Sequence, residues 1–329
     1  MIENIAIIGL GSIGRRHLRL AREFRSEIKI IAVRSGKGGE VPEEKIADKI
    51  VYNIKDAMDI GIQAAVISTP AVYHIKQAKK LMEADIHVLV EKPLSHNMEN
   101  IDDLLKIAEN STAVGLVGYC LRYDPGAIKF KEMLDSNELG KILRINVDCG
   151  SYLPDWRPNQ DYHQSVSAKK ELGGGVLLEL SHDLDYICWF FGNIETVSAV
   201  LQNSGNLNLN VEDNADLILK TVEGLTISLH LDFNSRNIRR HCNVKTSNGT
   251  LIWDAISKQV IWRPTNGPEK VESFNHDKDE IYRQQLKHFF KCIENDQTPI
   301  VSLYDGIAVL QIVEATRRSN EIGRAVALA

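Results

Sequence analysis

The chain has 329 residues, 43% of them hydrophobic and 25% charged, ordinary globular values that exclude a disordered or coiled-coil protein. At about 150 residues per domain, that length predicts two domains. The 39 basic residues stand against 44 acidic ones, a formal net charge of -5, and no basic block of the kind a phosphate backbone requires is present, which excludes nucleic acid as a main partner.

Cys120, Cys149, Cys188, Cys242 and Cys292 are widely spaced without a C-x-x-C pair. That pattern predicts a reducing compartment and no metal centre. Glu3 stands where a signal peptide needs a positive start, and no run approaches the roughly 20 apolar residues that span a bilayer. The expected location is the cytoplasm, with no membrane partner.

In chain order, residues 5–8 form a short apolar strand and lead into a helix whose Ile13, Leu20, Ala21 and Phe24 share one face. Strands follow at 28–33, 64–68, 87–90 and 114–119, with helices near 72–84 and 97–109 between them. Nearly continuous apolar strands separated by amphipathic helices predict a parallel sheet covered on both faces, a doubly wound domain over residues 1–120. Residues 121–329 differ. Stretches at 141–149, 194–202, 215–222, 225–233, 241–247 and 250–253 are rich in β-branched residues, with turn signals at Glu223-Gly224 and Asn248-Gly249. They predict an open, largely antiparallel sheet, covered by amphipathic segments at 176–191, 278–295 and 303–319. The fold class is α/β, with a C-terminal helix able to pack back on the first domain.

Gly9-Leu10-Gly11-Ser12-Ile13-Gly14 follows the first strand and opens a helix, the context in which this glycine pattern marks a dinucleotide site. The glycines serve a tight turn, close approach of a pyrophosphate and close helix packing, while the helix start offers N–H donors. Selectivity for NAD usually needs an acid about 20 residues further on. Arg34 and Ser35 stand there instead, and Lys37 follows. A guanidinium and a hydroxyl suit a 2′-phosphate, so NADP is favoured over NAD.

Glu91-Lys92-Pro93 follows the 87–90 strand at the carboxyl edge of the sheet, where ligands bind in such folds. Lys92 is placed to hydrogen-bond a substrate hydroxyl. In the second half, Gly173-Gly174-Gly175 precedes a helix with Leu177, Leu180, Leu184, Ile187, Cys188 and Phe191 on one face. Glu179, His182, Asp183 and Tyr186 project from the other. The glycines would let a cofactor or another chain approach the helix start.

The ordered set of the glycine loop, Ser68-Thr69-Pro70 with His74, Glu91-Lys92-Pro93 and the triple glycine leading to His182 resembles the Gfo/Idh/MocA family (glucose-fructose oxidoreductase, inositol dehydrogenase, rhizopine catabolism). The resemblance implies a Rossmann domain, a C-terminal α/β domain whose open sheet mediates homodimers or homotetramers, and NAD(P)-dependent chemistry on a sugar, nucleotide sugar or cyclitol. It implies cofactor contacts from Gly9, Gly11, Ser12, Ile13, Gly14, Arg34, Ser35, Ser68, Thr69, Pro70, His74, Glu91, Lys92, Trp156 and Arg157, and a cleft lined by Arg122 and Tyr123. Lys92 and His182 match the family's catalytic pair. The family's Asp four residues before the histidine is Leu178 here; counted from the glycines it becomes Glu179. Either Glu179 with His182, or His182 with Asp183, forms the polar centre. Arg236, Arg239 and Arg240 follow a strand and could face an anionic substrate. The alternative to an enzyme is a non-catalytic NAD(P)-binding sensor.

Overall fold

The computed structural model describes residues 2–136 and 138–328. Its elements in order are β1 (Asn4–Ile8), α1 (Ser12–Phe24), β2 (Lys29–Val33), β3 (Lys49–Val51), α2 (Ile54–Asp59), β4 (Ala64–Ile67), α3 (His74–Met82), β5 (His87–Val90), α4 (Ile101–Asn110) and β6 (Gly115–Val117). Then come α5 (Pro125–Leu134), β7 (Ile142–Gly150), α6 (Val176–Glu179), α7 (His182–Phe191), β8 (Ile194–Gln202), β9 (Asn214–Thr221), β10 (Thr226–Asp232) and β11 (Arg239–Thr246). The chain closes with β12 (Gly249–Asp254), β13 (Gln259–Pro264), β14 (Lys270–Ser273), α8 (Glu280–Asn295), α9 (Leu303–Ile322) and β15 (Val326–Ala327).

Two compact units result. The first runs to Cys120 and adds Asp277–Ile307; the second takes Leu121–His276 and the chain from Ala308. In the first, six strands lie in the order β3-β2-β1-β4-β5-β6, all parallel. This is the doubly wound sheet the apolar strands predict. Because β1 pairs with β2 on one side and β4 on the other, the strand order reverses there, and the loops leaving β1 and β4 open the crevice where such sheets bind ligands. Ile5, Ile7, Leu18, Leu20, Leu286, Phe289 and Phe290 share one core.

The second unit holds nine strands in the order β14-β13-β12-β11-β7-β10-β9-β8-β15. β7 and β10 run parallel and the other neighbours antiparallel. One face is packed: Trp253 of β12 meets Phe130 of α5 and Tyr186 and Phe190 of α7, at ring separations of 6.4, 5.1 and 5.7 Å.

Two expectations are corrected here. The 278–295 segment belongs to the first unit, where α8 packs on α1, with Phe290 5.7 Å from Phe24. An amphipathic face states that a helix must bury a side, not which core receives it. The helix expected over 176–191 is broken at Leu180-Ser181. Ser181 N bonds Leu178 O and Asp183 N bonds Leu180 O, i to i+3 contacts that tighten the turn and rotate α7 relative to α6. Asp183 and Tyr186, expected to project from the face opposite the leucines, are fully buried.

Candidate active site

In the first unit the glycine loop is built by steric demand. Gly9 adopts a φ of 90°, and a Cβ on Gly14 would lie 1.9 Å from Gly9 O and 2.5 Å from Ser68 Oγ. At Gly11 nothing lies within 4 Å of that position. Gly9 and Gly14 are thus consumed by packing, while the space over Gly11 at the start of α1 stays open. Ser68, at the end of β4, donates to Ile8 O and Gly9 O at 2.9 and 2.8 Å, clamping the loop. No acid stands in the first turn of α1, so its N–H groups, with Ser12 and Ile13 exposed or half-buried, are open to an anion without competition from a carboxylate of that turn.

His74 ties the loops after β4 and β5 together: Nε2 is 2.7 Å from Thr69 O and Nδ1 2.9 Å from Pro93 O. Complete burial drives its imidazole below the ordinary range, against the two carbonyls, which favour protonation. Thr69 Oγ1 donates to Gln77 at 2.7 Å, and Pro70 precedes the short turn into α3. Glu91 is buried, with Oε1 2.6 Å from His17 Nε2 of α1 and Oε2 accepting from Lys92 N at 3.2 Å. The half-buried Lys92 is therefore carried by a backbone whose preceding carboxylate is committed to α1. Sequence reasoning missed His17, because its partner lies 74 residues away along the chain.

At the end of β2, Arg34 donates to Gly38 O and Gly39 O at 2.8 and 2.6 Å and pairs with Glu44 at 2.7 Å. Ser35 is exposed and accepts from Lys37 N at 3.3 Å.

The second unit assigns its acids definitely. Asp183 Oδ1 accepts from the Tyr186 hydroxyl at 2.6 Å, and its other oxygen lies 3.2 Å from Arg240 Nη2. Burial and then Asp183 push the Tyr186 hydroxyl well above its ordinary pKa, and burial raises the Cys149 thiol to about 12. Burial opposes the Arg240 charge, but Asp183 and Cys149 outweigh it and hold the guanidinium's pKa above its ordinary value. Asp185 takes Arg122 in a fork, Nε at 3.0 Å and Nη2 at 2.8 Å, both side chains buried beside the buried Tyr123. Asp183 is thus held by Tyr186 and Arg240 and Asp185 by Arg122, while Glu179 and His182 are half-buried on the two sides of the broken turn.

The triple glycine serves this chain's own packing. A Cβ on Gly174 would strike the backbone of Val166, Ser167 and Lys169 at 2.5 to 2.9 Å, and one on Gly175 would strike Glu212 Oε1 at 2.3 Å. Glu212 in turn accepts from Leu177 N and caps α6. Beyond β7, Trp156 donates from Nε1 to Ser151 Oγ at 2.8 Å and meets Phe233 edge-on at 5.4 Å; Arg157 is exposed.

Residues 3–119 match the family described as an oxidoreductase family with an NAD-binding Rossmann fold, and residues 128–252 match the Gfo/Idh/MocA C-terminal domain. An uncharacterised oxidoreductase from Synechocystis sp. is 27% identical over 60% of the chain and 53% of its own length. The myo-inositol 2-dehydrogenase of Thermotoga maritima is 24% identical over 98% of both. A levoglucosan dehydrogenase solved with NADH and levoglucosan superposes with a TM-score of 0.87 at 18% identity, covering 99% of each chain, which shows a common fold. Among the described residues, no helix is long and apolar enough to cross a membrane.

Proposed function

Because the chain belongs to the Gfo/Idh/MocA family of oxidoreductases, we propose that it is an NAD(P)-dependent dehydrogenase or reductase acting at a CH–OH carbon of a sugar, nucleotide sugar or cyclitol. The observation that carries this reading is the open position over Gly11, bordered by glycines that packing alone accounts for. That cradle fits a dinucleotide pyrophosphate. When bound, the nicotinamide cofactor exchanges a hydride with the substrate carbon.

The chain's own residues supply the rest. The amides of Gly11, Ser12, Ile13 and Gly14 hold the pyrophosphate, and the Ser68-Thr69-Pro70 turn, His74 and Glu91 shape the neighbouring wall, with Trp156 and Arg157 as further cofactor contacts. Lys92 donates to the reacting oxygen. His182 accepts the hydroxyl proton in oxidation and returns it in reduction, since imidazole titrates near neutral pH. Tyr186 and Arg240 engage Asp183, which favours Glu179 over Asp183 as the acid that supports His182. Arg122 and Tyr123 act on the substrate side.

For the cofactor we favour NADP over NAD, on Arg34 and Ser35. The Arg34–Glu44 pair weighs on the other side: a 2′-phosphate must displace the Glu44 carboxylate, whereas a 2′-hydroxyl need not. Fluorescence titration decides it, with tighter NADPH binding expected and equal or tighter NADH binding overturning the choice.

The open face of the nine-stranded sheet, where Val200 and Ile218 are exposed, is proposed as the surface forming a homodimer or homotetramer. The function is tested by following nicotinamide absorbance with sugars, cyclitols and nucleotide sugars. Turnover with one of them is expected; cofactor binding without turnover across these classes would instead support a sensor.

A further inference from the structure

Three arginines lie at the β10–β11 end of the second unit, and their surroundings treat them differently. Arg239 is bound by Asp148, Asp232 and Ser235, and Arg240 by Asp183 and Cys149. Arg236 is exposed. Among the described residues no carboxylate pairs with it, and its guanidinium lies 3.4 Å from the centre of the Tyr152 ring.

The loop that carries Arg236 is fixed from below. Asp232 accepts from Asn234 N at 2.7 Å, Ser235 N at 2.6 Å and Ser235 Oγ at 2.7 Å, so the arginine is presented on ordered backbone. The aromatic ring covers one face of the guanidinium and leaves its N–H edge for a planar or tetrahedral anion.

Its position relates it to the proposed chemistry. Gly150, the last residue of β7, is opposite Arg239 and beside Asp232, so Tyr152 and Arg236 leave the sheet at the same end. Asp183, next to His182 in the chain, reaches Arg240 at that end. The helix that begins with His182 is therefore anchored where Arg236 is displayed.

We infer that Arg236 binds an anionic group of the substrate, a carboxylate or a phosphate, so that the substrate is an acidic or phosphorylated sugar derivative rather than a neutral one. This rests on the proposed function for its substrate, but the anion site can be read independently of turnover. Ligand-observed NMR titrations would compare D-glucose, D-glucuronate and D-glucose 1-phosphate, with and without saturating NADH. At least one anion is expected to bind roughly tenfold or more tightly than glucose, the size of a charge-assisted contact; which anion does so separates carboxylate from phosphate. Arg236→Gln should remove that preference, Arg236→Lys should keep part of it, and raised salt should shrink it. Equal binding of the three sugars, or a preference that survives Arg236→Gln, would overturn the inference. Failure of NADH to bind would strike the proposed function instead and leave the anion comparison readable.

Discussion

The two sheets of this protein solve burial in opposite ways. In the first unit the four residues of β4 are all buried and β1 is buried beyond its first residue, because helices cover both faces. In the second, β9 alternates buried and exposed along its length, since helices cover one face only. A doubly covered sheet can offer a ligand only its strand ends, and there the first unit places its glycine loop and Lys92. A sheet covered once has a broad free face as well as an end; the end carries Arg236, Tyr152 and the anchored start of α7.

The contrast is broken most sharply at Gly14. Gly14→Val puts atoms into Gly9 O and Ser68 Oγ and should cost about 3 kcal/mol or more, with cofactor binding lost; Gly11→Ala, into open space, should leave the melting temperature nearly unchanged while weakening cofactor binding. Thermal melts with cofactor titration check the pair, and equal destabilisation by both would contradict the assignment. In the second unit, Trp253→Ala should cost about 3–5 kcal/mol by emptying the packed face, measured by denaturant unfolding.

A smaller effect distinguishes the free face. Hydrogen bonding to Asp232 and then Asp216, against partial burial, raises His230 from 6.5 to about 9. Its contribution is complete below pH 6.5 and is lost as pH rises towards 9. Discounted for solvent, this is about 1 kcal/mol, a fall of about 2–4 °C in melting temperature, and His230→Gln should flatten that slope. Asp232, held at about 2 by His230 and Ser235 against its burial, has the reverse dependence: its contribution is lost as pH falls below 3.8. Ile218→Asp, on the exposed face, should barely move the stability of a single chain but shift light scattering towards the monomer.

How much of this the sequence showed depends on range. The glycine loop, Glu91-Lys92-Pro93 and the alternating strands are local patterns, and each lies on the element its pattern predicts. The arginine partners of Asp183 and Asp185 are not local, Arg240 for the first and Arg122, 63 residues away, for the second, so helical spacing alone gave no sign that both acids are buried. β14 is exposed at every position and β15 has two residues, leaving no apolar period to read. The Arg34–Glu44 pair escaped for the same reason, as a loop folded Glu44 back on the end of β2.

The division of labour between cofactor loop and proton relay is the central claim, and Lys92→Ala and His182→Ala test it together. Each variant should bind NADH or NADPH nearly as tightly as the unaltered protein does, because the pyrophosphate is held chiefly by the 9–14 loop, while turnover falls on the order of 10²–10⁴-fold for His182→Ala and steeply for Lys92→Ala. Turnover within about tenfold of the unaltered protein in both variants, or a loss of cofactor affinity that accounts for the loss of rate, would contradict it.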